Sequence, residues 1–507
     1  MVEHDETLEF ETPLTTRKRV GLFIAPVVFL AMLVLPAPEA MTPEAWRTAA
    51  VGILMAMWWV TEAIPIPATA VLPMVLFPLL GIVPIGAATA PYANPIIFLF
   101  LGGFIIALGM QKWELHRRIA LTVVSWLGTQ PHRLVLGFMV ATAFLSMWVS
   151  NTATAVMMMP IGLSVIALVA PKTETGELGQ LNFGTSLMLG VAYAASVGGL
   201  ATLIGTPPNA LLAGFMSTAY DIEIGFAQWM LVGLPLTIVA LPIVWVMLTR
   251  VVFPIQIKEV PGGRERIREE LDKLGPLSKA EARVGIVFCL TAVAWVTRPL
   301  LEAILPGLND TSIAIAAALV LFLMPSGANG NGGRFILDWE TAEELPWGVL
   351  LLFGGGLSLA NAVTTTGLAD WIGMSLGGLV ALPTIVLVLI VALVVIFLTE
   401  LTSNTATAAA FLPVLAPLAV ALGQSPFLLV VPAALAASCA FMMPVATPPN
   451  AIVYGTGYVT IPQMAKAGIG LNMMFVVLVT VLVYSVMLWA FGVTLGEVPE
   501  WALRMNS

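Results

Sequence analysis

The hexapeptide Ser150-Asn151-Thr152-Ala153-Thr154-Ala155 recurs letter for letter as Ser403-Asn404-Thr405-Ala406-Thr407-Ala408. Each copy lies in a long apolar stretch and is followed by a second echo. The echo reads Gly205-Thr206-Pro207-Pro208-Asn209-Ala210 in the first half and Ala446-Thr447-Pro448-Pro449-Asn450-Ala451 in the second. Runs of Ser, Asn and Thr, and paired prolines, are poor material for an unbroken membrane helix, because they free backbone groups that hydrocarbon cannot satisfy. The same two interruptions in both halves point to an internal duplication whose broken helices meet at a binding site.

Other landmarks keep the same order. Phe100 lies 50 residues before Ser150, and Phe353 lies 50 before Ser403 (150 − 100 and 403 − 353). Each Phe heads a glycine cluster, Gly102-Gly103 and Gly354-Gly355-Gly356, and a proline follows each Ser ten residues on, Pro160 and Pro413.

Of the 507 residues, 59% are hydrophobic and only 10% charged. The mean hydropathy is +0.98. A soluble domain carries about 25% charged residues, so this is an integral membrane protein. Many stretches reach the roughly 20 apolar residues that span a bilayer as a helix, and the alternating ten-residue segments of a β-barrel are missing. The class is therefore all-α polytopic. The net charge of −8 reflects an acidic N-terminal tail and acidic loops, and no basic run with interleaved aromatics suggests nucleic acid. Cys289 and Cys439 each sit in an apolar segment, which implies no disulfide framework. The first apolar stretch follows Arg17-Lys18-Arg19, and its length together with the many later spans favours a retained anchor over a signal peptide.

Read for organisation, residues 1–19 form a cytoplasmic tail and 20–40 an anchor helix. Residues 41–253 form a first repeat, with a re-entrant hairpin at 134–170 and a broken helix at 183–217. A polar cytoplasmic connector covers 254–280. The second repeat covers 281–493, with a hairpin at 382–421 and a broken helix at 427–457, and 494–507 is an extracytoplasmic tail. Spans are expected near 66–85 and, as a single helix, near 346–378. The basic segments at 17–19, at 112–118 with Arg133, and at 250–283 fall on one face in this count, which the Lys/Arg rule places in the cytoplasm. Residues 327–345 fall on that face too, although they hold one Arg and several acids. With the hairpins counted as non-spanning, about 11 transmembrane helices result, and the two repeats have inverted topology.

At a hairpin tip, helix-terminal N–H groups attract an anion, while carbonyls and hydroxyls suit a cation. Asn offers an amide donor and an amide acceptor, and the hydroxyls of Ser and Thr do either job. Neutral oxygens fit Na⁺ by the logic that surrounds hard cations with oxygen. Ser146 lies four residues before Ser150 and Thr399 four before Ser403, which stacks the hydroxyls on one helix face. The Thr-Pro-Pro-Asn breaks free carbonyls near Gly205 and Ala446 and add the hydroxyls of Thr206 and Thr447. A single Ser-Asn-Thr would read as helix packing, but a duplicated one paired each time with a Thr-Pro break reads as a site. No Lys, Arg or His lies near either motif, so a dianion there is neutralised by helix ends and co-bound cations. Glu400, three residues before Ser403, is an intramembrane acid whose counterpart in the first half is Met147. By default it is a functional candidate, with holding the hairpin as the competing role.

On these motifs, Ser150-Asn151-Thr152, Ser403-Asn404-Thr405, Thr206-Pro207 and Thr447-Pro448, the chain resembles the divalent anion–sodium symporter family, which includes the INDY-type di- and tricarboxylate transporters. The resemblance covers nearly the whole chain. It implies a homodimer in the plasma (inner) membrane, embedded in lipid, with a scaffold domain and a transport domain that moves as an elevator. It implies a first sodium site of Ser146, Ser150, Asn151 and Gly205, and a second of Thr399, Thr402, Asn404 and Ala446. Substrate carboxylates would be held by Asn151, Thr152, Thr206, Pro207, Ser403, Asn404, Thr405, Thr447 and Pro448. The expected activity is sodium-coupled import of C4-dicarboxylates such as succinate, malate or fumarate. A sodium-independent exchanger, or a citrate or sulfate carrier, is the alternative on the same fold. No metalloprotease motif, aspartate dyad or Ser–His pair within the spans suggests an enzyme, and no organic cofactor is implied.

Overall fold

Prolines and glycines set where the apolar runs start and stop being helical. The computed structural model describes residues 15–128, 130–169, 178–257, 259–327, 334–375 and 382–503. Among these the chain is helical apart from an isolated antiparallel bridge between Pro325 and Phe335. Most of the expected N-terminal tail, residue 170 of the first hairpin, Lys258 in the connector, residues 328–333 and the last four residues lie outside the described residues.

The first half comprises α1 (Thr16–Val34), α2 (Pro43–Thr61), α3 (Ile66–Ala70), α4 (Leu72–Leu79), α5 (Ile85–Thr89), α6 (Pro95–Lys112), α7 (Leu115–Leu127), α8 (Pro131–Ser146), α9 (Asn151–Val169), α10 (Leu178–Gly199), α11 (Pro207–Tyr220) and α12 (Phe226–Val246). A polar helix, α13 (Gly263–Lys273), lies in the connector. The second half comprises α14 (Lys279–Glu302), α15 (Asp310–Leu323), α16 (Trp339–Glu343), α17 (Trp347–Thr365), α18 (Leu368–Ser375), α19 (Thr384–Thr399), α20 (Asn404–Ala421), α21 (Phe427–Ala437), α22 (Pro448–Tyr454) and α23 (Ile461–Leu482). Both α12 and α23 run on into a π-helical turn, Met247–Val252 and Val483–Met487.

Starts follow local chemistry. Pro43, Pro95, Pro131, Pro207 and Pro448 each stand in a first turn, where the missing N–H costs nothing. Thr42 and Asn94 accept first-turn amides, and Ser278 with Glu281 forms a reciprocal capping box. Seven described helices are long and apolar enough to cross a membrane, with shorter apolar helices between them. On α14, Ile286, Leu290, Val293 and Leu300 form an exposed apolar stripe suited to hydrocarbon.

Two expected spans are divided. Residues 66–85 hold α3 and α4, because Pro67 and Pro73 each begin a new short helix. Of the single span expected at 346–378, residues 376–378 lie outside the described residues, and the rest is α17 followed by α18, separated at Gly367, whose φ of +78° ends the first helix. The first half shows the same arrangement: α6 ends at Lys112 and the amphipathic α7 starts at Leu115, 253 residues before Leu368 (368 − 115). The stretch expected to be only a basic loop therefore contains a helix. The connector packs against it, with Arg117 paired to Glu270 at 2.9 Å, and Arg118 pairs with Glu281 in the first turn of α14 at 2.8 Å. The acid-bearing segment 327–345 meets basic residues as well. Lys112 pairs with Asp338 at 2.5 Å, and just before the segment Arg283 donates to the Pro325 carbonyl.

The two repeats meet on their landmarks. Phe100 and Phe353, both fully buried, pack edge to face with ring centroids 5.0 Å apart. Their glycine neighbours let backbones close in, since a Cβ on Gly102 would lie 2.7 Å from Ala314 and one on Gly355 would lie 2.2 Å from the Ala70 carbonyl. Across the repeats α10 packs on α22 and α11 on α20, which brings the two broken helices and the two hexapeptides together.

Candidate functional site

Residues 147–150 join α8 to α9, and residues 400–403 join α19 to α20. Ser146, on the last turn of α8, is fully buried. Its Oγ lies 2.6 Å from the Asn151 amide and 2.8 Å from the Ala195 carbonyl of α10. Thr399 repeats this triangle, with Oγ1 2.7 Å from Asn404 Oδ1 and 2.9 Å from the Ala437 carbonyl. In each triangle one hydroxyl proton faces two oxygen acceptors, so the cluster is short of donors. Two groups can correct this: an Asn amide that turns its N–H₂ inward, or a cation. Asn151 fits the first, since with Nδ2 inward it donates to Ser146 Oγ (2.6 Å), Ala195 O (3.1 Å) and Gly205 O (3.2 Å). With Oδ1 inward the same four groups present four neutral oxygens, a donor set that suits Na⁺.

The other expected sodium ligands differ in what their side chains already do. Ser150 accepts the Ala153 amide at 3.3 Å and so caps α9. The Thr402 hydroxyl is occupied inside its own hairpin, by the Leu398 carbonyl at 3.0 Å and Thr407 Oγ1 at 2.6 Å. Gly205 is held to glycine by contact, because a Cβ there would meet the Gly199 carbonyl at 2.5 Å. Ala446, its counterpart, is buried.

Both Thr-Pro-Pro-Asn breaks are stitched by their Asn. Asn209 Nδ2 reaches the carbonyls of Thr202 (2.8 Å), Gly199 (3.3 Å) and Leu200 (3.4 Å), and Asn450 Nδ2 reaches those of Ala440 and Met443, both at 3.1 Å. Thr206 Oγ1 lies 3.2 Å from Ser438 Oγ of the opposite break, and Thr447 caps α22 through the Asn450 amide. Glu400 is 3% exposed, and its carboxylate takes the amides of Phe441, Met442 and Met443 and Nδ2 of Asn472. Of the two roles left open by sequence, this geometry is that of an anchor.

One cavity of about 810 Å³ collects these elements. Its walls include Ser150, Asn151, Thr152, Gly205, Thr206, Pro207, Ser403, Asn404, Thr405, Ala446, Thr447 and Pro448, together with apolar Phe104, Leu108, Ile204 and Val349. Ser146, Thr399 and Thr402 lie buried behind that wall. Among the described residues that line it there is no Lys, Arg or His, and the two acids, Glu62 and Glu344, accompany Gln111 at the helix ends.

Sequence reasoning missed Gly199, the carbonyls of Ala195 and Ala437, and the stitching role of Asn209 and Asn450. The asparagines had a signal, since both stand in the repeated echo. The carbonyls had none, because any residue supplies one.

Comparison with known proteins bears on this arrangement. The description "Sodium:sulfate symporter transmembrane region" matches residues 16–494. The sodium-dependent dicarboxylate transporter SdcS of Staphylococcus saprophyticus is 44% identical over 483 residues, covering 94% of this chain and 93% of that protein. Its namesake in Staphylococcus aureus strain MRSA252 is 44% identical over 490 residues, covering 96% and 94%. In fold alone, the chain is like the crystal structure of the Alcanivorax borkumensis YdaH transporter, with a TM-score of 0.56 at 14% identity over 94% of this chain and 97% of that one. Full-length identity of this order, with the repeated motifs meeting at one cavity, leads to a single assignment: the chain belongs to the sodium:sulfate symporter (divalent anion–sodium symporter) family, a family of membrane transporters and not of enzymes.

Proposed function

We propose that the chain is a sodium-coupled symporter that imports a C4-dicarboxylate such as succinate, malate or fumarate. The observation that carries this reading is the cavity shared by both Ser-Asn-Thr tips and both Thr-Pro breaks, with an acceptor-rich oxygen triangle behind each tip. The N-termini of α9, α11 and α20 line it. Each supplies roughly half a positive charge, and the seven-residue α22, whose Pro448 also lines the cavity, supplies less, so together they fall short of a dianion. With no cationic side chain among the described lining residues, sodium at the two triangles makes up the difference. The names of the 44% identical relatives, sodium-dependent dicarboxylate transporters, support the same substrate class and coupling ion.

The geometry supports the following ligand assignments. The first sodium is held by Ser146, Asn151, Gly205 and the Ala195 carbonyl, beside Ser150. The second is held by Thr399, Asn404, Ala446 and the Ala437 carbonyl, with Thr402 offering its backbone. Asn151, Thr152, Ser403, Asn404 and Thr405 meet the carboxylates, flanked by Thr206-Pro207 and Thr447-Pro448.

The same reading extends to architecture. About eleven spans accompany two re-entrant hairpins, α8–α9 and α19–α20, in inverted repeats. The cavity reaches Glu62, Gln111 and Glu344, on the face that bears Arg17, Lys112 and the polar connector. By the Lys/Arg rule that face is cytoplasmic, so the structure corresponds to an inward-open state. Transport then moves the hairpin-bearing domain past a scaffold that carries the contact of a homodimer.

Thermal unfolding of the purified protein tests the reading. A ligand that binds the folded state raises apparent stability. Sodium chloride, but not choline chloride, is expected to raise the midpoint, and succinate, malate or fumarate to raise it further only with sodium present. A larger rise with citrate or sulfate would replace the substrate. A dicarboxylate effect indifferent to sodium would replace symport by exchange.

A further inference from the structure

The two breaks are built differently, and Glu400 is the reason. The Thr-Pro-Pro-Asn echoes align with an offset of 241 (447 − 206), which pairs Gly199 with Ala440. α10 continues to Gly199, but α21 already ends at Ala437, three residues before the matching position. In the first break the amides of Leu200 and Ala201 turn back onto the carbonyls of Val197 (3.3 Å) and Gly198 (3.0 Å). Their counterparts, Phe441 and Met442, donate instead to Glu400 Oε1 at 2.7 and 2.8 Å, and Met443 donates to Oε2 at 3.0 Å. The carbonyls of Ser438 and Cys439 are thereby released from the turn that engages Val197 and Gly198.

The neighbouring helices show the same substitution of a charged anchor for a neutral one. A Cβ on Gly233 of α12 would lie 2.2 Å from the Leu200 carbonyl, and one on Gly468 of α23 would lie 2.3 Å from the Phe441 carbonyl. Each helix thus presses on the same point of its break. Four residues further on, Thr237 donates to the Val197 carbonyl at 2.9 Å, whereas Asn472 donates to Glu400 Oε1 at 2.7 Å. The tight first break pairs Gly199 with Gly205, and the second has Ala440 and Ala446, whose methyl groups need the wider turn.

Resting on the sodium-coupled reading above, we propose that Glu400 is the positioning residue of the second sodium half-site. All four of its hydrogen bonds come from N–H donors, which suits an acceptor-only carboxylate and leaves it an anchor, not a ligand. It fixes the chain between Ala437, whose carbonyl lies 2.9 Å from the Thr399 hydroxyl, and Ala446. It also sets a negative charge one residue from Thr399, where its hydrogen-bond donors among the described residues are neutral backbone and Asn amides. Among the described residues of the first half nothing does this, since Met147 occupies the matching position. The two sodium half-sites are therefore unequal, and the second is the tighter.

The test is sodium-dependent thermal stabilisation of the full-length protein, titrated with sodium chloride at constant ionic strength in choline chloride. It compares wild type with Glu400→Gln, Glu400→Asp and Asn472→Ala. Gln keeps one acceptor oxygen but turns an N–H₂ group toward amide donors. Glu400→Gln is expected to raise the sodium half-saturation about tenfold, the worth of a hydrogen bond to a charged group. Glu400→Asp restores part of it, and Asn472→Ala shifts it by less. A lowered midpoint at every sodium concentration with unchanged half-saturation would mean a merely structural role and overturns the proposal. If Glu400→Gln does not fold, an unchanged half-saturation in Asn472→Ala overturns it. A wild type indifferent to sodium would instead remove the sodium-coupled reading, and this proposal with it.

Discussion

The Thr399 hydroxyl lies 2.7 Å from the Asn404 amide oxygen, in the same relation as Ser146 Oγ to the Asn151 amide at 2.6 Å. In both cases a backbone carbonyl closes the triangle, Ala437 in one and Ala195 in the other. A duplicated sequence has thus become a duplicated oxygen cluster, and both clusters back onto one cavity.

Removing either amide should disable transport without unfolding the protein. Asn151→Ala and Asn404→Ala each delete a group that meets both the oxygen triangle and the cavity. Uptake of labelled succinate is expected to fall by roughly ten- to a hundredfold, from the loss of one or two hydrogen bonds to charged groups. Uptake at the wild-type rate in either variant would take that residue out of the site.

Gly199 has no role on a motif-based reading, yet a methyl group there would lie 2.7 Å from Asn151 Oδ1 and 2.9 Å from the Gly205 carbonyl. Gly199→Ala should therefore displace Asn151 and weaken sodium binding, at a stability cost of about 1–3 kcal/mol from overpacking. Gly86→Ala is the control, since a Cβ there meets nothing within 4 Å. Equal sodium titrations for the two variants would show that the glycine contact does not hold Asn151 in place.

The membrane class, the duplication and the site motifs were legible because each left a pattern in residue type. Ser-Asn-Thr and Thr-Pro-Pro-Asn are repeated strings, and the helix breaks fall on them. The division of 346–378 into α17 and α18 was not legible, because Gly367 is one more glycine in an apolar run. Its positive φ of +78° belongs to the folded turn and leaves no mark in residue type beyond the glycine itself. The amphipathic α7 was hidden by the charges of its first turn. Ala195 and Ala437 contribute only carbonyls, so no substitution pattern marks them. Glu400 was visible as an oddity, but its role depends on three amides some forty residues away.

Glu270 makes the connector sensitive to acid. Its carboxyl is held below the ordinary value of 4.5 first by its hydrogen bond from Lys273, with Arg117 and Arg266 adding to the effect. A depressed carboxylate contributes stability above its unfolded value and loses it as pH falls through the folded one. Thermal midpoints should therefore decline below about pH 4.5, and Glu270→Gln should flatten part of that decline while costing roughly 1 kcal/mol at neutral pH. An identical pH profile for the variant would show that the cluster contributes nothing.

Phe100 and Phe353 tie the repeats together and should be energetically coupled. Each single change to Ala is expected to cost about 3–5 kcal/mol as a fully buried aromatic. The double change should cost less than the sum by about 0.5–1.5 kcal/mol, the worth of an edge-to-face pair. Additive losses in a double-mutant cycle would show that the two rings do not support each other.

Two sodium-binding triangles are proposed to make one cavity attractive to a dicarboxylate. The most direct measurement loads proteoliposomes with choline buffer free of substrate and follows labelled succinate after an inward sodium gradient is imposed. Accumulation above equilibrium that collapses when the sodium gradient is dissipated is the predicted result. Uptake that ignores sodium and requires dicarboxylate inside the vesicles would contradict it.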